Sequence, residues 1–241
     1  MEAATSNPSS KRIALVSGGN KGIGLETCRQ LASKGFKVLL TARNEARGLE
    51  AVEGVRRSGA DVVFHQLDVT DPDSVARLAD FVRDQFGKLD ILINNAGISG
   101  VDRDPVLFAQ VQEQNFNSEE LKKEFDDIDN LTEKRLEELL DLFLEDFNAN
   151  LIEAHGWPTG GSSAYKVAKA ALNAYTRILA KRFPAMRINC LTPGFVKSDM
   201  SMHMGELTLE EGASNLVKVA LLPDDGPNGA YFDRDGVASF V

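Results

Sequence analysis

Short apolar runs alternate with longer amphipathic stretches through the first 93 residues, and this rhythm confines the chain to few folds. Residues 12–16 (RIALV) read as a strand, followed by a glycine-rich turn and a helix over about 22–34. A strand at 37–41 and a helix at 45–57, closed by Ser58-Gly59, repeat the pattern. A third pair follows at 61–65 and 71–86, with Asp71 as N-cap and Pro72 as first helical residue, and 89–93 (LDILI) is a fourth strand. Such alternation implies right-handed βαβ units, hence an α/β, doubly wound, Rossmann-type parallel sheet with helices on both faces.

The rhythm stops between 98 and 161, where no strand-like run occurs. Residues 118–128 and 132–152 are rich in Glu, Leu, Asp and Lys at helical spacing, and Leu136, Leu139, Leu140, Phe143, Leu144 and Phe147 form one apolar stripe. The stripe reads as a packing face, with a docking helix for a partner as the second reading. Alternation resumes with a helix at 164–183, a strand at 187–191, a helix at 205–222 and a strand at 229–232. No repeat or linker divides the chain, so a single domain over 11–241 is expected, with a helical insert at about 116–155. Residues 1–10 (MEAATSNPSS) lack an apolar core segment and read as a disordered tail rather than a signal peptide.

A net charge of −9 argues against a nucleic-acid or anionic-membrane surface, while leaving room for local positive charge at a ligand site. Cys28 and Cys190 form no CxxC pair, which fits a reducing compartment. No apolar run approaches the roughly 20 residues that span a bilayer, so a cytoplasmic protein is expected. His65, His155 and His203 are scattered without ligand spacing, and no metal site is expected.

Two clusters carry chemistry. Residues 17–24 (SGGNKGIG) follow a strand and open a helix, where glycines permit a tight turn and close approach of a pyrophosphate to the helix N-terminus. At the end of the second strand, Thr41-Ala42-Arg43 offers no carboxylate before Glu45 to accept ribose hydroxyls. Arg43 there, with Lys21 in the glycine turn, suits a 2′-phosphate and favours NADP(H) over NAD. Asp68-Val69, ending the third strand, reads either as a strand-to-helix cap or as the rest for an adenine ring. Tyr165 and Lys169 lie four residues apart on one helical face. An ammonium beside a phenol lowers its pKa, and the phenol can protonate the alkoxide formed when hydride reaches a ketone.

SGGNKGIG (17–24), NNAG (94–97), YKVAK (165–169) and PGFVKSDM (193–200), in this order, resemble the short-chain dehydrogenase/reductase family over about 11–100 and 155–241. Within it the chain looks most similar to the monomeric NADPH carbonyl reductases, particularly a plant branch acting on terpenoid and alkaloid ketones. The helical stretch before the catalytic helix is similar to that branch's insert, which implies a monomer. By the resemblance, Gly18, Asn20, Lys21, Gly22, Ile23 and Gly24 line the cofactor phosphates, and Asn95, Ala96 and Gly97 border the cofactor. Tyr165 would be the acid and Lys169 would bind the nicotinamide ribose. Pro193, Gly194 and Val196 would contact the nicotinamide face, and Ser198 replaces a usual Thr. The implied partner is a small carbonyl or alcohol substrate.

The family also carries a helix and a central fifth strand ending in a catalytic Ser. Here the resemblance breaks near Gln114 and resumes at about Asn115, so one helix–strand unit is expected to be missing. Its loss would leave backbone groups unpaired on the fourth strand and on the strand at 187–191, unless these two close up and pair. Ser162 and Ser163, ahead of Tyr165, read as caps, with a substitute catalytic role as the minor alternative. Three functional readings remain: a carbonyl reductase with impaired turnover, a non-catalytic nucleotide-binding or interaction protein, and a misfolded product.

Overall fold

The computed structural model describes residues 11–98, 116–160 and 162–238, and the tail 1–10 and the break near Gln114 lie outside them. Among these residues the strands are β1 (Ile13–Val16), β2 (Lys37–Ala42), β3 (Val62–Gln66), β4 (Ile91–Ile93), β5 (Cys190–Leu191), β6 (Tyr231–Phe232) and β7 (Val237–Ala238). The helices are α1 (Gly22–Ser33), α2 (Glu45–Arg56), α3 (Pro72–Phe86), α4 (Glu119–Asp126), α5 (Glu133–Asn148), α6 (Ser163–Arg182) and α7 (Leu209–Ala220). They fall into two compact units, residues 1–97 with 207–220 and residues 98–206 with 221–241. None of the described helices is long and apolar enough to cross a membrane.

The first unit is the expected doubly wound core. Its four strands form a sheet of order β3-β2-β1-β4, every pair parallel. β1 and β2 are buried almost throughout, which is why their sequences are continuous apolar runs rather than alternating ones. Leu15 pairs with Leu39 on one side and Leu92 on the other. Leu78 and Val82 of α3 close over Leu15, Leu39 and Leu67 to make one core layer. α3 begins where the sequence says it should: the Asp71 carboxylate accepts the Asp73 N–H, Pro72 follows, and Gly87 ends the helix in the left-handed region. α7 packs on α1, and Gln30 Nε2 donates to the Glu210 carbonyl at 3.0 Å.

The second unit is organised by the insert. Ser118 and Thr132 cap α4 and α5 by accepting the Leu121 and Arg135 N–H groups. Phe125, Leu136, Leu139 and Phe143 pack with Trp157 against Val167, Ala170, Ala171 and Ala174 of α6, where small alanines let the helices approach closely. The apolar stripe of α5 is therefore only partly a packing face. Leu136, Leu139 and Phe143 are buried, whereas Leu144 and Phe147 are about half exposed. The reason is geometric: Asp146 turns inward instead, accepting the Trp157 Nε1–H at 2.8 Å and lying 2.8 Å from His155 Nδ1. Among the described residues β5 pairs with β6 alone, in parallel, and β7 adds to β6 antiparallel. Likewise β4 pairs with β1 alone among the described residues.

Burial works to raise the Asp146 pKa, but the hydrogen bonds from Trp157 and His155 outweigh it and hold the carboxyl below its ordinary value. Replacing Asp146 with Ala strands a buried indole N–H and should cost about 1–3 kcal/mol in urea unfolding. A depressed native pKa stabilises the fold above the unfolded value, about 3.9. The gap between wild type and variant should therefore be full at neutral pH and shrink as pH falls through the lowered native pKa.

Candidate active site

Where β1 ends, the chain must reverse to lay α1 back on the sheet, and glycine chemistry decides how tightly it can. Gly18 has φ of +64°, and a Cβ there would lie 3.0 Å from the Ala96 Cα. A Cβ on Gly24 would meet the Gly18 carbonyl oxygen at 2.4 Å and the Asn95 amide nitrogen at 2.5 Å. Two polar side chains hold the turn. Asn95 Nδ2 donates to the carbonyls of Ser17 (2.9 Å) and Gly18 (3.2 Å), and the Ser17 hydroxyl accepts the N–H groups of Asn95 (2.9 Å) and Ala96 (3.0 Å). Gly19 N–H donates to the Thr41 carbonyl at 2.8 Å, fixing the turn to the end of β2.

No side chain caps α1, whose N-cap position is Lys21. That leaves the first-turn amides of Gly22, Ile23 and Gly24, and the positive end of the helix dipole, for an anion. Asn20 and Lys21 sit in the turn just ahead of them. Arg43 follows β2 directly and is exposed, its carbonyl accepting Gln66 Nε2 at 3.3 Å. On the neighbouring strand end, Asp68 binds the hydroxyl and N–H of Thr70 at 2.7 and 3.0 Å. These bonds, with a smaller contribution from the Arg43 charge, hold its carboxyl below the usual range. Its own N–H donates to Ser74 Oγ, so Asp68 shapes the strand-to-helix connection while Val69 stays exposed beside it. All the residues expected at the phosphates and adenosine thus belong to the first unit, with Asn95 and Ala96 against the turn and Gly97 following them.

The second unit carries Tyr165 and Lys169, one turn apart on α6, with Lys169 Nζ over the Tyr165 ring at 5.6 Å from its centre. The expectation that the ammonium lowers the phenol is not met. Burial pushes Tyr165 up and Lys169 down, because desolvation disfavours the charged form of each. Ser162 takes the N-cap position of α6 but its side chain makes no capping bond, and both Ser162 and Ser163 are buried. The turn at 193–201 follows β5. Gly194, next to Pro193, has φ of +87°, and Val196 is buried. The Ser201 hydroxyl donates to the Val196 carbonyl at 2.6 Å and accepts the Ser198 N–H at 3.0 Å.

The roles of two residues that build the site escaped the sequence reading. Ser17 was read only as the opening residue of the glycine motif, and its position as the last residue before the turn was the available signal for its role. Ser201 left none, since one serine among Ser198 and its neighbours looks like any other. Replacing Ser17 with Ala should strand the Asn95 and Ala96 amides and cost about 1–3 kcal/mol in chemical denaturation. An unchanged midpoint would mean that the turn does not depend on that hydroxyl.

Comparison with known proteins shows the family. The short chain dehydrogenase family model matches residues 12–207. A short-chain dehydrogenase/reductase 1 of Saponaria officinalis is 40% identical in an alignment of 302 positions that takes in 100% of both chains. Carbonyl reductase (NADPH) 3 of Mus musculus is 38% identical, over 92% of this chain and 95% of that protein. The solved structure of salutaridine reductase from Papaver somniferum matches with a TM-score of 0.81 at 38% identity, covering 92% of this chain and 99% of that one. The chain belongs to the short-chain dehydrogenase/reductase family.

Proposed function

We propose that the protein reduces a ketone or aldehyde to an alcohol with NADPH, Tyr165 serving as the acid. The observation that carries this reading is the uncapped start of α1 beneath a turn that admits no side chain at Gly24. The fit to a phosphorylated dinucleotide rests on that cradle, on Lys21 within it, and on Arg43 in place of a carboxylate at the end of β2. The relatives' names point the same way, one being a carbonyl reductase that uses NADPH and another a salutaridine reductase.

When bound, NADPH supplies the hydride. Gly18, Gly22 and Gly24 let the backbone approach the pyrophosphate, and Arg43 and Lys21 hold the 2′-phosphate. Asn95, Ala96 and Gly97 wall the same side. Lys169 holds the nicotinamide ribose, and Pro193, Gly194, Val196 and Ser198 wall the nicotinamide. Tyr165 gives its proton to the substrate oxygen as the alkoxide develops. A phenol whose pKa burial raises stays protonated at neutral pH, so the donor is loaded for reduction and poorly suited as a base for the reverse oxidation. Burial is the cause of that shift. In this reading Tyr165 is the one donor assigned to the carbonyl, and turnover about 10²-fold below that of a site with a second donor is expected. The substrate is a small molecule, and the helical insert, by its resemblance to that of the monomeric carbonyl reductases, fits a protein that works as a monomer.

Tyr165→Phe should lower ketone reduction by about 10²-fold or more while leaving NADPH affinity by calorimetry unchanged; undiminished reduction would remove Tyr165 from the role. Arg43→Asp should weaken NADPH by about tenfold or more and NADH hardly at all, because one charge-assisted bond to phosphate contributes about 1.5–3 kcal/mol. Equal losses for both nucleotides would refute the 2′-phosphate assignment.

A further inference from the structure

Three of the chain's five methionines, Met200, Met202 and Met204, fall within five residues, with His203 between the last two. Backbone bonds curl this stretch into a closed loop. The Ser198 carbonyl accepts the His203 N–H at 2.9 Å and the Asp199 carbonyl accepts the Met202 N–H at 3.3 Å, a pattern that ordinarily closes on a left-handed glycine. The Ser201 carbonyl then accepts the Met204 N–H at 2.9 Å. The loop is also pinned to the segment ahead of it. The Ser201 hydroxyl donates to the Val196 carbonyl, and the Phe195 carbonyl accepts the Glu206 N–H at 2.8 Å. A Cβ on Gly205 would lie 2.2 Å from the Val196 carbonyl carbon. All of these residues belong to the second unit.

Packing does not account for the side chains that the loop carries. Met202 and His203 have φ of +50° and +61°, two of the three non-glycine residues in the left-handed region among those described. Glycine or asparagine would sit there with less strain, so these positions keep a thioether and an imidazole against the backbone's preference. Met200 and Met204 are 42% and 40% exposed, and His203 is exposed as well, so core burial does not hold them.

Their donor chemistry supplies a use. Thioether sulfur is polarizable and ends a side chain with three rotatable bonds, so arms two residues apart on a curled backbone can reach one point. Soft donors of this kind select copper(I), and imidazole suits copper too. Asp199 Oδ1 lies 3.5 Å from His203 Nε2, where a carboxylate can steady the ring and leave Nδ1 for a metal. Among the described residues no three His, Cys, Asp or Glu side chains gather to hold a metal. The expectation of no metal site rested on histidine and cysteine spacing, and methionine sulfur did not enter it.

We propose that Met200, Met202, His203 and Met204 form a site for a soft monovalent metal ion of the copper(I) class. Three neutral thioethers and one imidazole hold the ion. Hard ions such as Mg²⁺ and Ca²⁺ need several oxygens, and residues 198–204 offer one carboxylate. The site depends on this loop and not on the reductase reading.

The test applies silver(I), a redox-inert ion of the same charge and softness, to the whole protein in dilute hydrogen peroxide. Peroxide oxidises an accessible thioether to its sulfoxide, and mass spectrometry reads each methionine separately. At free silver ten times the dissociation constant, oxidation of Met200, Met202 and Met204 should slow together by about tenfold. Met186, 57% exposed, should oxidise at its usual rate. His203→Asn, which tolerates the left-handed backbone, and Met202→Leu should each raise the silver needed for half-protection of the remaining thioethers by about tenfold or more. Should a variant lose its cooperative thermal transition, the wild-type protection pattern decides alone. Methionines that oxidise as fast with silver as without overturn the proposal, as silver held only by Cys190 would produce. So does protection that extends equally to Met186, that covers one thioether alone, or that both substitutions leave unchanged.

Discussion

Buried backbone amides must find partners, and at the end of β1 the chain meets that demand with two side chains, Ser17 and Asn95. Their four hydrogen bonds join the last turn of one strand to the segment that follows its neighbour, within the first unit. Because the bonds are short-range and directional, they set where α1 begins. The helix start in turn sets where an anion can be held. Gly24 can be nothing larger, since the space its side chain would fill already holds the Gly18 carbonyl and the Asn95 amide.

Electrostatics divides the molecule into two regimes. The surface is acidic overall, yet the end of β2 presents Arg43, and its field reaches the Asp68 carboxylate. On α6 the dominant influence is the loss of water rather than charge pairing. Tyr165 and Lys169 are each driven toward neutrality, the condition of a proton donor rather than of a phenolate. The insert is stitched to α6 at its outer rim by pairs such as Arg177–Asp126 and Arg182–Glu133, both 2.9 Å long. Such exposed pairs add little stability singly, and the aromatic core beneath them does most of the work.

Much of this was legible in the sequence, for reasons that differ by element. β1 and β2 announced themselves because buried parallel strands need unbroken apolar runs, and α3 because Asp71, Pro72 and Gly87 bracket it. The strand expected over 187–191 survives only as Cys190–Leu191, since short edge pairing leaves little pattern to read. β7, two residues long, was missed for the same cause. Helical periodicity placed Leu144 and Phe147 inward, but it could not foresee that Trp157 would draw Asp146 into the core. The pairing of Tyr165 with Lys169 was visible, and the direction of their pKa shifts was not. Spacing reports proximity, whereas desolvation depends on what the rest of the fold brings around the helix.

Trp157 is the single tryptophan of the chain, fully buried and fixed through its indole nitrogen. Its near-ultraviolet emission is therefore an optical signal confined to the helical insert and α6. The parallel sheet contributes no indole of its own. Unfolding followed by this emission would track one unit, while circular dichroism averages both, and any separation between the two curves would measure how independently the units melt.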